Sequence, residues 1–127
     1  MKYWIGALAF VLAGQAEAAC KAKDLVGKWV MFQNNITASQ PHVGRCTMVV
    51  DKNGSFTGSC KLSPPVDIEF PVTGDVAVQP DCNAVIHQKF DGGHATYSVV
   101  LSKNKQVFAG QWTNFLDDFG TTTGVKQ

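Results

Sequence analysis

The four cysteines are the residues of this sequence with the clearest chemistry: Cys20, Cys46, Cys60 and Cys82. An even number of cysteines in a small exported domain is typical of disulfides, and four cysteines allow three pairings. Structural zinc sites instead use clustered C-x-x-C or Cys/His spacings, which this chain does not contain. We therefore predict two disulfides and no free thiol that could act as a nucleophile.

One group of residues has the character of metal ligands: His87, Asp91 and His94. A hairpin could bring the two imidazoles near the carboxylate and form a weak transition-metal site. However, strand alternation places His87 on a solvent-facing side, and Asp91 and His94 flank a Gly-Gly turn. We interpret the group as a turn aspartate and two solvated histidines, and we expect neither a metal nor a cofactor.

The sequence contains no signature of catalysis. It has no G-x-S-x-G elbow and no clustered Ser, His and Asp. Its carboxylates lie mainly in turns, so no pair is expected to face across a cleft, as glycoside hydrolysis requires. The formal net charge is +1, without a run of like charges, which argues against nucleic acid and anionic membranes as partners. We expect a protein that is not an enzyme.

Four side chains are candidates for binding a small molecule: Gln88, Tyr97, Phe108 and Trp112. Gln88 falls on the apolar face of its predicted strand, where a buried polar group needs a partner or a ligand. Binding pockets combine an apolar lining with a few such groups. A hydrogen bond between strands would satisfy Gln88 equally well. Trp112 could belong either to the core or to a pocket wall, so these alternatives stay open.

Short runs of alternating apolar and polar residues, separated by turn residues, indicate strands. In one run, Phe56, Gly58, Cys60 and Leu62 alternate with polar residues, as in antiparallel sheets that have one buried face. The predicted strands are 26–33, 44–51, 54–62, 67–79 (one strand bent at Gly74), 82–90, 95–103, 105–113 and 119–126. No helix-period pattern longer than a turn or two competes with them.

The turn Asp-Lys-Asn-Gly-Ser at residues 51–55 predicts both a register and a disulfide. Its glycine suits the left-handed position of a three-residue hairpin loop. Pairing the two ends of this turn places Cys46 opposite Cys60 at a non-hydrogen-bonded position. Cα atoms are about 4.5 Å apart there, which is within disulfide reach. The remaining pair, Cys20–Cys82, would attach the N-terminal segment to a later strand.

Short antiparallel strands with one apolar face must hide that face. Closing the sheet on itself does so and also removes exposed edges. Short connections between the last four predicted strands indicate an up-and-down meander. We therefore predict an all-β fold, an eight-stranded antiparallel up-and-down β-barrel with two disulfides. Packed side chains or one small ligand would fill its interior. A two-sheet sandwich is the alternative.

Three segments resemble lipocalins and avidins, the calycin-type barrels. Gly27-Lys28-Trp29 is similar to the G-x-W motif that opens their first strand. Residues 53–58 resemble an avidin hairpin, and residues 107–111 are similar to a late avidin strand. The resemblance implies a lipocalin- or avidin-like barrel with a pocket at one end, and it implies that Trp29 plugs one end and packs on the closing strands. It does not imply biotin, because Met31 stands where avidins carry an asparagine that contacts biotin.

A second resemblance is to small periplasmic inhibitors of secreted metalloproteases, which are barrels with the same early G-x-W motif. Two loops, 33–43 and 114–120, would then contact a protein partner. The residues of these loops that we expect at such a contact are Asn35, Phe115, Leu116 and Phe119. The sequence thus leaves two hypotheses. The first is a barrel that holds a small, partly apolar ligand. The second is a protein-binding module such as an inhibitor of a secreted or periplasmic hydrolase.

The N-terminal segment has the order of a secretory signal peptide: one lysine, an apolar run too short to span a membrane, and small residues before the cleavage site. We predict a signal peptide over residues 1–18 and a single β-barrel domain over residues 19–127. The location would be secreted or periplasmic, without membrane insertion. Lipid attachment at Cys20 is the alternative. Glu17 argues against it, because lipoproteins carry a large aliphatic residue at that position.

Overall fold

The computed structural model describes residues 19–37, 39 and 41–127, which form a closed barrel of antiparallel strands. The strands are β1 Gly27–Asn35, β2 His42–Val50, β3 Ser55–Leu62, β4 Glu69–Val78, β5 Asn83–Phe90, β6 Gly93–Leu101, β7 Val107–Asn114 and β8 Phe119–Lys126. Each strand pairs with the next, and β1 also pairs with β8. The predicted up-and-down barrel is therefore confirmed, with a single β4 that runs through Gly74.

The hairpin of β2 and β3 has the predicted register. The Asp51 N–H donates to the Ser55 carbonyl at 2.8 Å, and Gly54 has a φ of 81°. Cys46 faces Cys60, their Cα atoms are 4.0 Å apart, and the two residues form a disulfide. The alternation of the strands and the chemistry of one turn were therefore sufficient to predict this pair.

The N-terminal segment closes one end of the barrel. It contains a short 3₁₀ helix, Ala22–Leu25, and the predicted disulfide Cys20–Cys82 ties it to the turn between β4 and β5. The Leu25 side chain is fully buried within the core of the barrel. This segment lies across the end where the turns after β2, β4 and β6 are found, because alternate connections of an up-and-down barrel share an end.

Trp29 fills the closed end from the inside. Its indole N–H donates to the Leu25 carbonyl at 2.9 Å, and its ring lies 5.1 Å from the ring of Phe108, centroid to centroid. The Phe108 ring in turn occupies the space beside Gly124, where an added Cβ would lie 2.1 Å from the ring. The plug implied by the calycin resemblance is therefore present, and it depends on an aromatic pair and on one position without a side chain.

The connection between β1 and β2 is shorter than predicted. The alternation indicates no strand from 33 to 43, but β1 continues to Asn35 and β2 begins at His42. Polar residues at inward positions conceal the pattern: Gln33 hydrogen-bonds inside the barrel, and Asn35 is only 7% exposed. The side chain of Asn34 accepts a backbone N–H of β8 at 2.7 Å. The loop expected to bind a partner is consequently reduced to residues 36–41.

The predicted signal peptide, residues 1–18, lies outside the described residues. Within the part of the chain that the structure describes, no helix has the length and apolar character that crossing a membrane requires.

Truncating Leu25 to alanine should remove much of the stability of the barrel. Removing a buried leucine side chain costs about 2–5 kcal/mol, because transfer free energy and packing are both lost. The matched control is Leu116→Ala, because Leu116 is 65% exposed and surface substitutions change stability by less than about 0.5 kcal/mol. Urea unfolding with the disulfides intact measures both. Equal effects of the two substitutions would show that the N-terminal segment does not close the barrel.

Candidate functional site

The end of the barrel opposite the plug opens into a cavity of about 450 Å³. The turns after β1, β3, β5 and β7 surround its mouth, since the other turns lie at the closed end. Ligand pockets in proteins have volumes of about 300–1,000 Å³. The interior is therefore divided into a packed half and a half with room for a small molecule.

Aromatic side chains form most of the apolar lining of this cavity. They are Phe70, Phe90, Tyr97, Trp112 and Phe115. The ring centroids of Phe70 and Phe90 are 5.5 Å apart, and those of Tyr97 and Trp112 are 6.2 Å apart. Such separations are typical of favourable aromatic pairs. Three smaller apolar residues complete the lining: Leu62, Ile68 and Ala95. The cavity wall is thus suited to a flat, apolar molecule.

A buried polar group, Gln33, Gln88 and Tyr97, lies at the base of the cavity. The Tyr97 hydroxyl is hydrogen-bonded to Gln33 Oε1 and lies 3.3 Å from Gln88 Oε1. The amide nitrogen of Gln88 points at the Cys46–Cys60 disulfide, 3.6 Å from Cys60 Sγ. The sequence left two roles open for Gln88, a hydrogen bond between strands and a place in a ligand pocket. Gln88 has both, because it is hydrogen-bonded to Tyr97 of β6 and it lines the cavity.

Burial raises the pKa of the Tyr97 phenol well above its usual value, because a phenolate inside the barrel would lose its hydration. The hydrogen bonds with Gln33 and Gln88 act in the opposite direction and only partly offset this effect. Tyr97 consequently keeps its proton far beyond the pH at which an exposed tyrosine loses it.

Acidic and amide side chains surround the mouth. Asp118 accepts hydrogen bonds from the amide nitrogens of Asn35, at 3.3 Å, and Asn114, at 3.5 Å. The Thr37 hydroxyl lies 3.5 Å from the other Asp118 oxygen. Two carboxylates, Asp91 and Asp118, and one imidazole, His42, line the cavity. The residues of the described chain that line it include no lysine or arginine.

The structure brings together three of the four residues predicted to bind a ligand. Gln88, Tyr97 and Trp112 line the cavity, and the Trp112 indole N–H donates to a β1 carbonyl at 3.0 Å. Phe108 lies instead at the closed end against Trp29 and does not line the cavity. Both β7 residues point inward, but four residues of strand separate them by about 13 Å. The same strand face therefore serves the plug and the cavity.

The residues predicted to contact a protein partner are also divided. Phe115, Leu116 and Phe119 lie at the mouth and are 44%, 65% and 48% exposed. Asn35 is buried and faces the cavity, because β1 is longer than predicted. Phe115 belongs to both surfaces, since it lines the cavity and its ring also packs over Gly93.

His87, Asp91 and His94 do not converge on one point. His87 is exposed on the outer wall, with a ring nitrogen 3.5 Å from the Thr96 hydroxyl. The His94 ring packs instead near Phe115, with 6.0 Å between centroids. Among the described residues, no group of three or more His, Cys, Asp or Glu side chains has an arrangement that could hold a metal ion.

The sequence did not single out Phe70 and Phe90 as site residues. Both follow the alternation that places residues inside the barrel, since Phe90 lies two positions after Gln88 and Phe70 two positions before Val72. That signal identifies them as inward-facing. Whether an inward residue fills the core or lines a cavity depends on its height in the closed barrel, which the alternation does not contain.

Comparison with solved structures supports the fold. A de novo designed fluorescence-activating β-barrel superposes with a TM-score of 0.63 at 11% identity, covering 84% of this chain and 96% of that chain. A redesigned β-barrel bound to DFHBI gives 0.61 at 11% identity, covering 81% and 99%. Another redesigned β-barrel gives 0.62 at 14% identity, covering 84% and 94%. At these identities the likeness shows the barrel fold alone.

No protein-family model and no curated protein matches the sequence. The resemblance to lipocalins and avidins is therefore supported for the eight-stranded antiparallel barrel fold and no further.

Tyr97 provides a direct test of how dry the base of the cavity is, because it is the only tyrosine after residue 18. We expect no tyrosinate absorption from the folded protein at about pH 10, where exposed tyrosines ionise. Above that pH the unfolded chain releases the proton and the folded chain keeps it. Stability should then fall by about 1.4 kcal/mol per pH unit. Reversible ionisation near pH 10, with an intact β-sheet circular dichroism spectrum, would contradict the buried network.

Proposed function

We propose that this protein is an exported, non-enzymatic binding protein whose barrel holds one small, partly apolar ligand in the cavity at its open end. The observation that carries the proposal is the meeting of three features at that end. They are an open volume of about 450 Å³, an aromatic lining, and the buried polar group of Gln33, Gln88 and Tyr97. Small-molecule sites combine an apolar wall with a few placed polar groups.

The chemistry of the base of the cavity supports binding over catalysis. Its polar groups are two amides, a phenol whose pKa is raised, and the sulfur atoms of a disulfide. Amides and disulfides do not exchange protons near neutral pH, and a buried phenol of this kind remains protonated. These groups can orient a ligand, but they offer neither an activated nucleophile nor a general base.

The disulfides support export. Both pairs are formed, and together they include all four cysteines. Disulfides of this kind persist in oxidising compartments and are rare in the cytosol. With the predicted signal peptide over residues 1–18, they favour a secreted or periplasmic location.

A protein-binding role is the second candidate, and the rim of the cavity favours it. Large apolar side chains are exposed around the mouth: Ile36, Ile68, Leu116 and Phe119, which are 57%, 49%, 65% and 48% exposed. Exposed apolar patches often mark surfaces that contact other proteins. A secreted or periplasmic protein such as a hydrolase would then cover the mouth instead of entering the cavity.

Filling the cavity should abolish ligand binding. Ala95 is 4% exposed and lines the cavity, so Ala95→Phe places a phenyl group in the ligand's space. We expect the fluorescent probe N-phenyl-1-naphthylamine to bind the unchanged protein, and to bind this variant at least about tenfold more weakly. The control is Ala109→Phe, because Ala109 is exposed on the outer wall of β7. Equal affinity in both variants, with the circular dichroism spectrum retained, would exclude the cavity as the site.

The rim separates the two candidate functions. The double substitution Leu116→Ser and Phe119→Ser should leave the mass of a co-purified small molecule unchanged in native mass spectra, because neither residue lines the cavity. Ala95→Phe should remove that mass. A protein-binding role would give the opposite result. A co-purified protein would then be lost from the rim variant and retained by Ala95→Phe.

A further inference from the structure

We propose that the cavity selects its ligand by charge: it takes a flat aromatic molecule that carries a protonated amine, and it excludes carboxylates and sulfonates of the same shape. This inference rests on the proposed function, because it concerns the same cavity. Three independent features of the described residues carry it, one at the base, one at the mouth and one along the wall.

The base of the cavity has more hydrogen-bond acceptors than donors. Gln33 Oε1 and Gln88 Oε1 both lie within reach of the Tyr97 hydroxyl, and a hydroxyl has only one proton to donate. Gln33 Oε1 also lies 3.9 Å from Cys46 Sγ, but a disulfide sulfur has no hydrogen. One amide oxygen is therefore available to an N–H group of a ligand.

The amide donor of Gln88 is directed at the disulfide. Gln88 Nε2 faces the disulfide, 3.6 Å from Cys60 Sγ and 3.9 Å from Cys46 Sγ. Gln33 Nε2 lies 3.4 Å from the position that a Cβ added at Gly44 would occupy. An anionic group beside Gln88 would thus meet an amide oxygen and would find no N–H of Gln88 to donate to it, which is costly in a buried site.

The mouth of the cavity also favours cations over anions. The Asp118 carboxylate is bound by the neutral groups of Asn35, Asn114 and Thr37, which satisfy its hydrogen bonds without cancelling its charge. Asp91 adds a second carboxylate to the lining. Asp118 is half-buried and Asp91 is exposed, and two acidic groups at the entrance of a cavity attract cations and repel anions.

Basic side chains near this end do not reverse the preference. Arg45, Lys61 and Lys89 belong to the halves of β2, β3 and β5 nearer the mouth, but all three are exposed on the outer wall and none lines the cavity. Exposed charges of this kind are surrounded by water and screened by salt. The only basic side chain in the lining is that of His42.

The aromatic wall adds a third contribution. The rings of Phe90, Tyr97 and Trp112 line the space between the base and the mouth. The face of an aromatic ring attracts a cation within about 6 Å, and the attraction grows as the cation is removed from water. A flat ligand with an ammonium group would therefore be favoured by the wall as well as by both ends of the cavity.

Three dansyl probes that share one fluorophore and a similar alkyl chain test this selectivity. They are dansylcadaverine, which ends in an ammonium group, dansyl-6-aminohexanoate, which ends in a carboxylate, and the uncharged N-butyl dansylamide. Fluorescence titration in low salt should give a Kd for the cation about tenfold below that of the anion, with the neutral probe between them. High salt should reduce the difference.

Substitutions of the acidic groups then locate the selectivity. Asp91→Asn and the double variant with Asp118→Asn should progressively reduce the ratio of the two charged probes to about two- or threefold, and the neutral probe is titrated alongside to report any change in the shape of the cavity. The matched control is Asp75→Asn, because Asp75 is exposed on the outer wall of β4 and does not line the cavity. It should keep the full ratio. If Asp118→Asn disturbs the mouth, the neutral probe will report it, and Asp91→Asn alone still decides.

The outcomes separate this inference from the proposed function. Binding of all three probes with equal affinity, or tighter binding of the anion, would overturn the charge selectivity and leave the small-ligand cavity standing. An unchanged ratio in the acidic variants would also overturn it. If none of the probes binds, or if Ala95→Phe binds them as the unchanged protein does, the proposed cavity itself is wrong and the inference falls with it.

Discussion

The pairing of β1 with β8 is the contact on which the other features of the barrel depend. It runs from Trp29 opposite Lys126 to Gln33 opposite Thr122, and it removes the two edges that an open sheet would expose. Because β1 carries the plug tryptophan at one end and a polar residue of the cavity at the other, the same pairing places both. An open sheet of the same strands would have no interior to divide.

The division of that interior follows from where large and small inward residues lie. Near the closed end, Leu25, Trp29 and Phe108 fill the space, and Gly124 makes room for a ring. Nearer the mouth, the inward residue of β6 is Ala95, and a cavity remains. The polar group around Tyr97 lies at the boundary between the two halves. Every buried side-chain nitrogen or oxygen of the described residues has a neighbour at hydrogen-bond distance, although Gln33 Oε1 and Gln88 Oε1 share the single Tyr97 proton.

The disulfide Cys46–Cys60 connects the stability of the barrel to its site. It joins β2 to β3 and also lies under the amide of Gln88. Covalent links of this kind hold neighbouring strands in one register. The disulfide is therefore a fixed contact for the Gln88 amide. The proposed ligand would meet a base that is already ordered, which lowers the conformational cost of binding. Both candidate functions use the same end of the molecule, since the exposed apolar rim surrounds the mouth of the cavity.

The sequence by itself determined the strands, the hairpin between β2 and β3, both disulfides and the tryptophan plug. Most of these depend on a period of two, on one turn, or on a short motif, so neighbouring residues contain the information; Cys20–Cys82 followed as the pair left once Cys46–Cys60 was assigned. The tertiary structure alone decided that Phe108 belongs to the plug and Trp112 to the cavity, that Asn35 faces inward, and that Asp91 and Asp118 line the same cavity. The physical reason is that alternation tells which side of the sheet a residue faces. Its height in the barrel, and its neighbours across the interior, depend on how all the strands are staggered when the sheet closes.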